Sequence, residues 1–185
     1  MCVEKTPWEQ VIDFHGHTCP GVAIGFRIAQ IAQRELGIRP APDAELLVRA
    51  ETHSCALDAF QILNKATVGR GTLIVEEKGK HVYTFHYTGT EDSLRIAVRG
   101  EILQNITPPE SFASPRQRQN WSLEKVQYVL SSPEEDFCKI EKGTGTIEQP
   151  SSPKVWGTCS NCGEAVKLDY AKVEGDRVLC TACIG

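Results

Sequence analysis

Cys159, Cys162, Cys180 and Cys183 form two Cys-x-x-Cys pairs near the C-terminal end of the sequence. No other feature restricts its part of the chain so tightly. Each pair offers two thiolates from one tight turn, and the segment between the pairs carries the chain out and back, so four sulfurs converge on one tetrahedral ion. Gly163, directly after the second cysteine, suits a backbone that must adopt positive φ around a ligand. A segment this short buries too little apolar surface to fold without such a staple. The alternatives are two disulfides or four ordinary buried thiols. Disulfides belong with exported chains, and the start, Met1-Cys2-Val3-Glu4-Lys5-Thr6-Pro7, has no apolar run behind a basic cluster, so a cytoplasmic protein is expected. Zinc is favoured for a closed four-thiolate site, while rubredoxin-like iron uses similar spacing and would colour the protein.

The chain has 185 residues, enough for one sound core and a small appendage. A net charge of -4 with basic and acidic residues interspersed leaves no electrostatic footprint for nucleic acid. The tail is balanced as well, since Lys154, Lys167, Lys172 and Arg177 are offset by Glu164, Asp169, Glu174 and Asp176. No apolar stretch is long enough to span a bilayer, so no membrane association is expected. From Lys142 to Pro153 the chain is rich in Gly, Thr, Ser and Pro and poor in apolar residues, which predicts a linker. The expected division is a core over 1–142, a linker over 143–153 and a four-cysteine zinc-finger domain over 154–185.

Within the core, the broad apolar face of Val22, Ile24, Phe26, Ile28, Ile31, Ala32 and Leu36, with Pro20 in its first turn and Gly37 behind it, predicts a helix over Pro20 to Leu36. Ala44 to Ala50 reads as a strand and Ser54 to Leu63 as a helix. Thr72 to Glu76 and Lys80 to Tyr87 flank a Glu77-Lys78-Gly79 turn, the pattern of a hairpin. Ser93 to Arg99 reads as a further strand, and Trp121 to Leu130 as a helix opened by Ser122. This order argues for an α+β fold with one mixed sheet flanked by helices.

A second concentration of donors lies at Phe14-His15-Gly16-His17-Thr18-Cys19-Pro20-Gly21. Cys19 directly precedes a helix, where the unpaired amides and the positive helix end favour a thiolate. Glu51-Thr52-His53-Ser54-Cys55 repeats the arrangement after the first strand. Two helix starts aimed at one point would gather His17, Cys19 and Cys55 around a divalent ion with its fourth position open, as catalytic sites require. His15 would then be a further donor or a proton carrier. Asp58, one turn after Cys55, would hold a ligating histidine from behind. The competing reading has the histidines capping loop carbonyls and the cysteines filling the core. His81 and His86 read as solvated or cross-strand residues of the hairpin, and Cys2 and Cys138 as incidental thiols.

Two blocks of this sequence resemble the FmdE family, named for a component of formylmethanofuran dehydrogenase. They are Phe14-His15-Gly16-His17-x-Cys19-Pro20-Gly21, and Cys55-x-x-Asp58-Ala59-Phe60-Gln61 followed by Thr67-x-Gly69-Arg70-Gly71-x-Leu73. The likeness runs from about Trp8 to about Tyr87, with weaker support to the linker. It implies an α+β core, thioredoxin-like in broad arrangement, with a metal-binding active site and, in some members, a C-terminal treble-clef zinc finger. It also implies an association with molybdenum or tungsten formylmethanofuran dehydrogenase. Two departures stand out. Asn64-Lys65-Ala66-Thr67 replaces the family's usual Thr-Gly-Cys-Thr, which removes a thiol expected near the site and adds a lysine that repels cations. After Cys183 only Ile184 and Gly185 follow, where a treble clef carries its last ligand pair into a helix.

The function implied is a metal-binding protein accessory to molybdenum or tungsten formylmethanofuran or formate-type one-carbon redox metabolism, with catalytic candidates His15, His17, Cys19, Cys55 and Asp58. The alternative is a non-catalytic module that delivers metal to, or docks on, a larger redox enzyme. Thiol redox work by Cys19 and Cys55 is a third reading, weakened because neither sits in a Cys-x-x-Cys motif. A homodimer is expected, closed across an exposed sheet edge.

Overall fold

The computed structural model describes residues 4–38, 46–145, 147–148 and 155–184. Cys2, the expected strand start at Ala44 and Glu45, and linker residues 146 and 149–153 lie outside these. The chain forms two compact units, Met1–Gln149 and Pro150–Gly185.

The first unit opens with α1 (Pro7–His15), a helix the apolar periodicity does not reveal because its signal is in the cap. The Thr6 hydroxyl accepts from the Glu9 amide while the Glu9 carboxylate accepts from the Thr6 amide, a reciprocal capping box, and Pro7 fills the first turn. Gly16 ends α1 at φ +88°, a conformation that costs glycine little. Three residues later α2 (Pro20–Leu36) starts at its cap Cys19, whose sulfur accepts from the Val22 amide, and it stops at Gly37, as its composition predicts. Then follow β1 (Leu46–Ala50), α3 (Ala56–Leu63), β2 (Leu73–Val75), β3 (Val82–Tyr87), β4 (Asp92–Val98), α4 (Gly100–Asn105), α5 (Pro115–Ser131), α6 (Glu134–Phe137) and β5 (Cys138–Thr144). Sheet pairing through Thr144 carries β5 into the turn-rich segment.

The sheet has the order β2-β1-β3-β4-β5, parallel between β1 and β2 and antiparallel elsewhere. The fold is α+β with one mixed sheet. The hairpin expected from residues 72–87 does not form: β1 lies between β2 and β3. Two alternating runs around a Lys-Gly turn imitate a hairpin, but the turn instead wraps the end of β1, where the amides of Glu76, Lys78 and Lys80 donate to Ala50 and Glu51. β1 is almost wholly buried, so both of its edges are more profitably paired than left exposed. His86, expected as a solvated or cross-strand residue, is buried on β3 at 3 % exposure, with its Nδ1 against the Asp92 carbonyl at 3.2 Å.

Helix α5 is longer than expected. Its cap is Ser114, which accepts from the Gln117 amide, and Pro115 opens the first turn. The stretch Pro-Arg-Gln-Arg-Gln-Asn has no apolar stripe to announce a helix, so Ser122 imitates a start. The Ser122 hydroxyl instead donates to the Thr18 carbonyl at 3.2 Å, tying α5 to the turn before α2. At the other end Arg27 of α2 donates to the carbonyls of Val129 and Ser132 at 2.7 and 2.8 Å and lies 4.2 Å over the Phe137 ring. Arg27 thus satisfies carbonyls that α5 leaves open and fixes α5 beside α2.

The core lies between the sheet and the helices. Phe60 of α3 meets Tyr83 and Phe85 of β3 edge-on at 4.9 and 5.3 Å. Helices α2 and α3 touch backbone to backbone: a Cβ on Gly25 would stand 2.3 Å from the Ala56 carbonyl oxygen, and one on Gly21 3.1 Å from the Cys55 Cβ. Only glycine allows this approach, and the approach carries the start of α3 onto the start of α2.

The second unit holds β6 (Trp156–Thr158) paired with β7 (Ala165–Lys167), and β8 (Ala171–Glu174) paired with β9 (Arg177–Cys180), both antiparallel. A single 3-10 turn, Thr181–Cys183, stands where a longer helix would follow.

Candidate metal centres

Three donors converge at the corner between α1 and α2. One donor atom each from His15, His17 and Cys19 lies within 4.8 Å of the others. His15 is the last residue of α1, His17 follows the Gly16 turn and Cys19 caps α2, so the tight corner alone brings them together. The His15 and His17 rings lie 4.5 Å apart. Nδ1 of His15 is 2.7 Å from a carboxylate oxygen of Asp58 and Nε2 is 3.5 Å from the Cys19 sulfur. Asp58 therefore takes one ring nitrogen and leaves the other for the cluster, the arrangement that orients metal-binding histidines.

Cys55 lies outside the converging set and shares a side-chain hydrogen bond with Cys19. That bond is the largest cause of a Cys19 pKa lowered to about 5; burial opposes it, and the Val22 amide and His15 add to it. The same hydrogen bond, together with burial, pushes the Cys55 pKa up. Burial works against a charged His15 ring, but the hydrogen bonds to Asp58 and Cys19 outweigh it and raise its pKa. Of the expected ion set of His17, Cys19 and Cys55, the first two fall in the converging group, which His15 joins and Cys55 does not. The i to i+4 spacing of His15 and Cys19 across the corner carries that signal, hidden because α1 has no apolar stripe to mark where it ends.

These residues suit a metal ion. A tetrahedral ion with sulfur and nitrogen bonds of about 2.3 and 2.05 Å spaces those two donors about 3.6 Å apart, and Cys19 and His15 are separated by 3.5 Å. Ala66, where the family resemblance implies a cysteine, is fully buried among core residues. Lys65 beside it is exposed at φ +57°.

In the second unit the donor atoms of Cys159, Cys162, Cys180 and Cys183 all lie within 4.8 Å of one another. Cys159 and Cys162 sit in the turn between β6 and β7, where Gly163 adopts φ +75°. Amides of Cys162, Cys180 and Asn161 point at the Cys159 sulfur and lower its pKa to about 6. The Cys162 and Cys180 sulfurs are 3.9 Å apart. That matches the roughly 3.8 Å edge of a tetrahedral four-thiolate site and is far from the roughly 2.0 Å of a disulfide. Cys138, by contrast, is buried, with burial pushing its thiol up to about 11.

A half-open cleft of about 680 Å3 adjoins the first cluster. It is walled by His17 and Thr18 on one side and by Phe112 to Leu123 on the other. Sequence reasoning does not find it, because it depends on the long form of α5. No helix among the described residues is long and apolar enough to cross a membrane.

A solved structure, that of a tungsten formylmethanofuran dehydrogenase FmdE-like protein from Syntrophus aciditrophicus, shares the fold with a TM-score of 0.65 at 23% identity, over 96% of this chain and 89% of that one. A curated protein of Archaeoglobus fulgidus, described as a probable S-adenosyl-L-methionine-binding protein, is 27% identical over 193 aligned positions. That alignment takes in 94% of this chain, which spans only 51% of the relative's length. The sequence profile described as "FmdE, Molybdenum formylmethanofuran dehydrogenase operon" matches residues 14–139, the stretch that holds the corner cluster, α3 and strands β1 to β4, and that reaches the start of β5. The chain belongs to the FmdE family.

Proposed function

We infer that the core holds a divalent metal ion on His15, His17 and Cys19, in an accessory role in molybdenum- or tungsten-dependent formylmethanofuran or formate-type one-carbon redox metabolism. The observation that carries this reading is the placement of His15, with one nitrogen on Asp58 and the other 3.5 Å from the Cys19 sulfur. A bound ion would supply Lewis-acid chemistry at a site with a coordination position to spare. Asp58 orients the His15 ring, and the hydrogen bond from Cys55 favours the thiolate form of Cys19. The tail, a zinc finger joined through the segment that ends at Pro153, carries a structural zinc on Cys159, Cys162, Cys180 and Cys183, sealed by four thiolates. The family's operon description supports partners among the components of molybdenum or tungsten oxidoreductases. We place the protein in the cytoplasm, as a homodimer.

Metal analysis of the wild type beside Cys19→Ser and Cys159→Ser tests the reading. Cys19→Ser is expected to lose about one metal equivalent and keep the tail ion, and Cys159→Ser the reverse. Full metal content in Cys19→Ser would reject the core site.

A second reading is favoured by the large apolar side chains that the tail exposes: Val155, Trp156, Tyr170 and Val173 are each more than half exposed. A zinc-stapled module with such side chains suits docking onto a larger redox enzyme. Trp156→Ser is then expected to abolish capture of the purified oxidoreductase while leaving both ions bound; unchanged capture would reject docking through this residue.

A further inference from the structure

We propose that the cleft between the His17–Thr18 turn and the start of α5 is the substrate pocket of the core site, and that it takes an organic anion of cofactor size with an aromatic or other apolar body. The proposal rests on the core-ion reading given above, and extends it from the ion to its ligand. His17 belongs both to the converging donors and to the cleft wall, so what fills the cleft lies against the cluster. Its volume, about 680 Å3, is far more than a one-carbon acid occupies and falls among pockets for ligands of some tens of atoms.

The wall chemistry sets the ligand class. Phe112, Pro115 and Leu123 supply apolar surface, and Leu123 is 51 % exposed. Arg118 is the one formally charged lining residue among the described residues, and no carboxylate lines the cleft. The Arg118 guanidinium lies 5.5 Å over the Phe112 ring and has no ion-pair partner among the described residues. Its planar fork is therefore open to a carboxylate, sulfonate or phosphate. Ser114 and Gln119 add neutral polar groups to the lining. An anion on Arg118 and an apolar body along Phe112 and Leu123 would leave the opposite end of the ligand toward His17.

The test uses the full chain with both ions loaded and two fluorescent probes of like shape. These are 1-anilinonaphthalene-8-sulfonate, an aromatic monoanion, and N-phenyl-1-naphthylamine, which lacks the charge. The anionic probe is expected to bind saturably, one per chain. Arg118→Gln should weaken it about tenfold, the scale of one lost charge-assisted contact, and leave the neutral probe unchanged. Arg118→Glu should weaken it further. Arg118 is exposed, so neither substitution threatens the core. Equal affinity of wild type and Arg118→Gln for the anionic probe would overturn the proposal, as would equal loss of both probes. Metal content measured on the same samples, together with Cys19→Ser, reports separately on the ion: probe discrimination can fail while the ion is retained, and the ion can be absent while discrimination holds.

Discussion

At Asp58 one carboxylate oxygen, 2.7 Å from His15 Nδ1, determines which ring nitrogen faces the donor cluster. Asp58→Asn keeps the shape and removes the charge. It is expected to weaken core-ion affinity by about tenfold to a hundredfold, measured by competition with a chelator, while the thermal midpoint barely moves. Sequence spacing picks out Asp58 as a partner for a ligating histidine, because it sits one turn beyond Cys55. Which histidine it meets is not legible, since that depends on where α1 ends. Lys65 poses the opposite case: its φ of +57° costs a non-glycine residue about 1 kcal/mol. Lys65→Gly, which restores the residue type the family resemblance implies, should raise urea stability by up to about 1 kcal/mol. Glu77 supplies a pH signature. It accepts from the amide and ring of His53 and from the Gly79 amide, which lower its pKa to about 2 from the ordinary 4.5. A depressed carboxylate contributes stability that is complete above about pH 4.5 and fades as pH falls toward about 2. The stability advantage of wild type over Glu77→Gln should therefore shrink across that window and stay flat above it, as denaturation at stepped pH would read.

Among the elements, the corner between α1 and α2 carries the donors and α3 carries Asp58 behind His15, and Gly25 is where α2 and α3 meet. Gly25→Ala places a methyl group 2.3 Å from the Ala56 carbonyl oxygen, backbone that cannot rotate away. The expected cost is about 2 to 3 kcal/mol or more in urea unfolding, with core metal lost before tail metal. Helix α2 is legible to the residue because Pro20 and Gly37 bracket one apolar face. The other elements are less so. Helix α5 hides its first turns in polar residues, and α1 hides in a cap. The expected hairpin fails because strand pairing is non-local: residues 73–75 alternate equally well beside β1 or β3, and only the burial of both edges of β1 decides between them.

At the scale of the whole molecule, the two donor clusters fall in separate compact units. Cys159→Ser, which removes one of the four converging thiolates, should unfold residues 155–184 while the far-ultraviolet spectrum of the core persists. Hydrogen exchange would locate the loss, because so short a unit buries little apolar surface of its own. The four cysteines announce this unit in the sequence, whereas the cleft beside His17 leaves no sequence trace, being formed by residues about one hundred positions apart.

The contact at Gly25 also governs how the core can move. Helices pressed together main chain against main chain leave no room for a hinge between them, so Cys19 at the start of α2 and Cys55 and Asp58 of α3 hold a fixed spacing. Across from them α5 is anchored by Arg27 at its far end and, beside the donors, by the Ser122 hydroxyl on the Thr18 carbonyl.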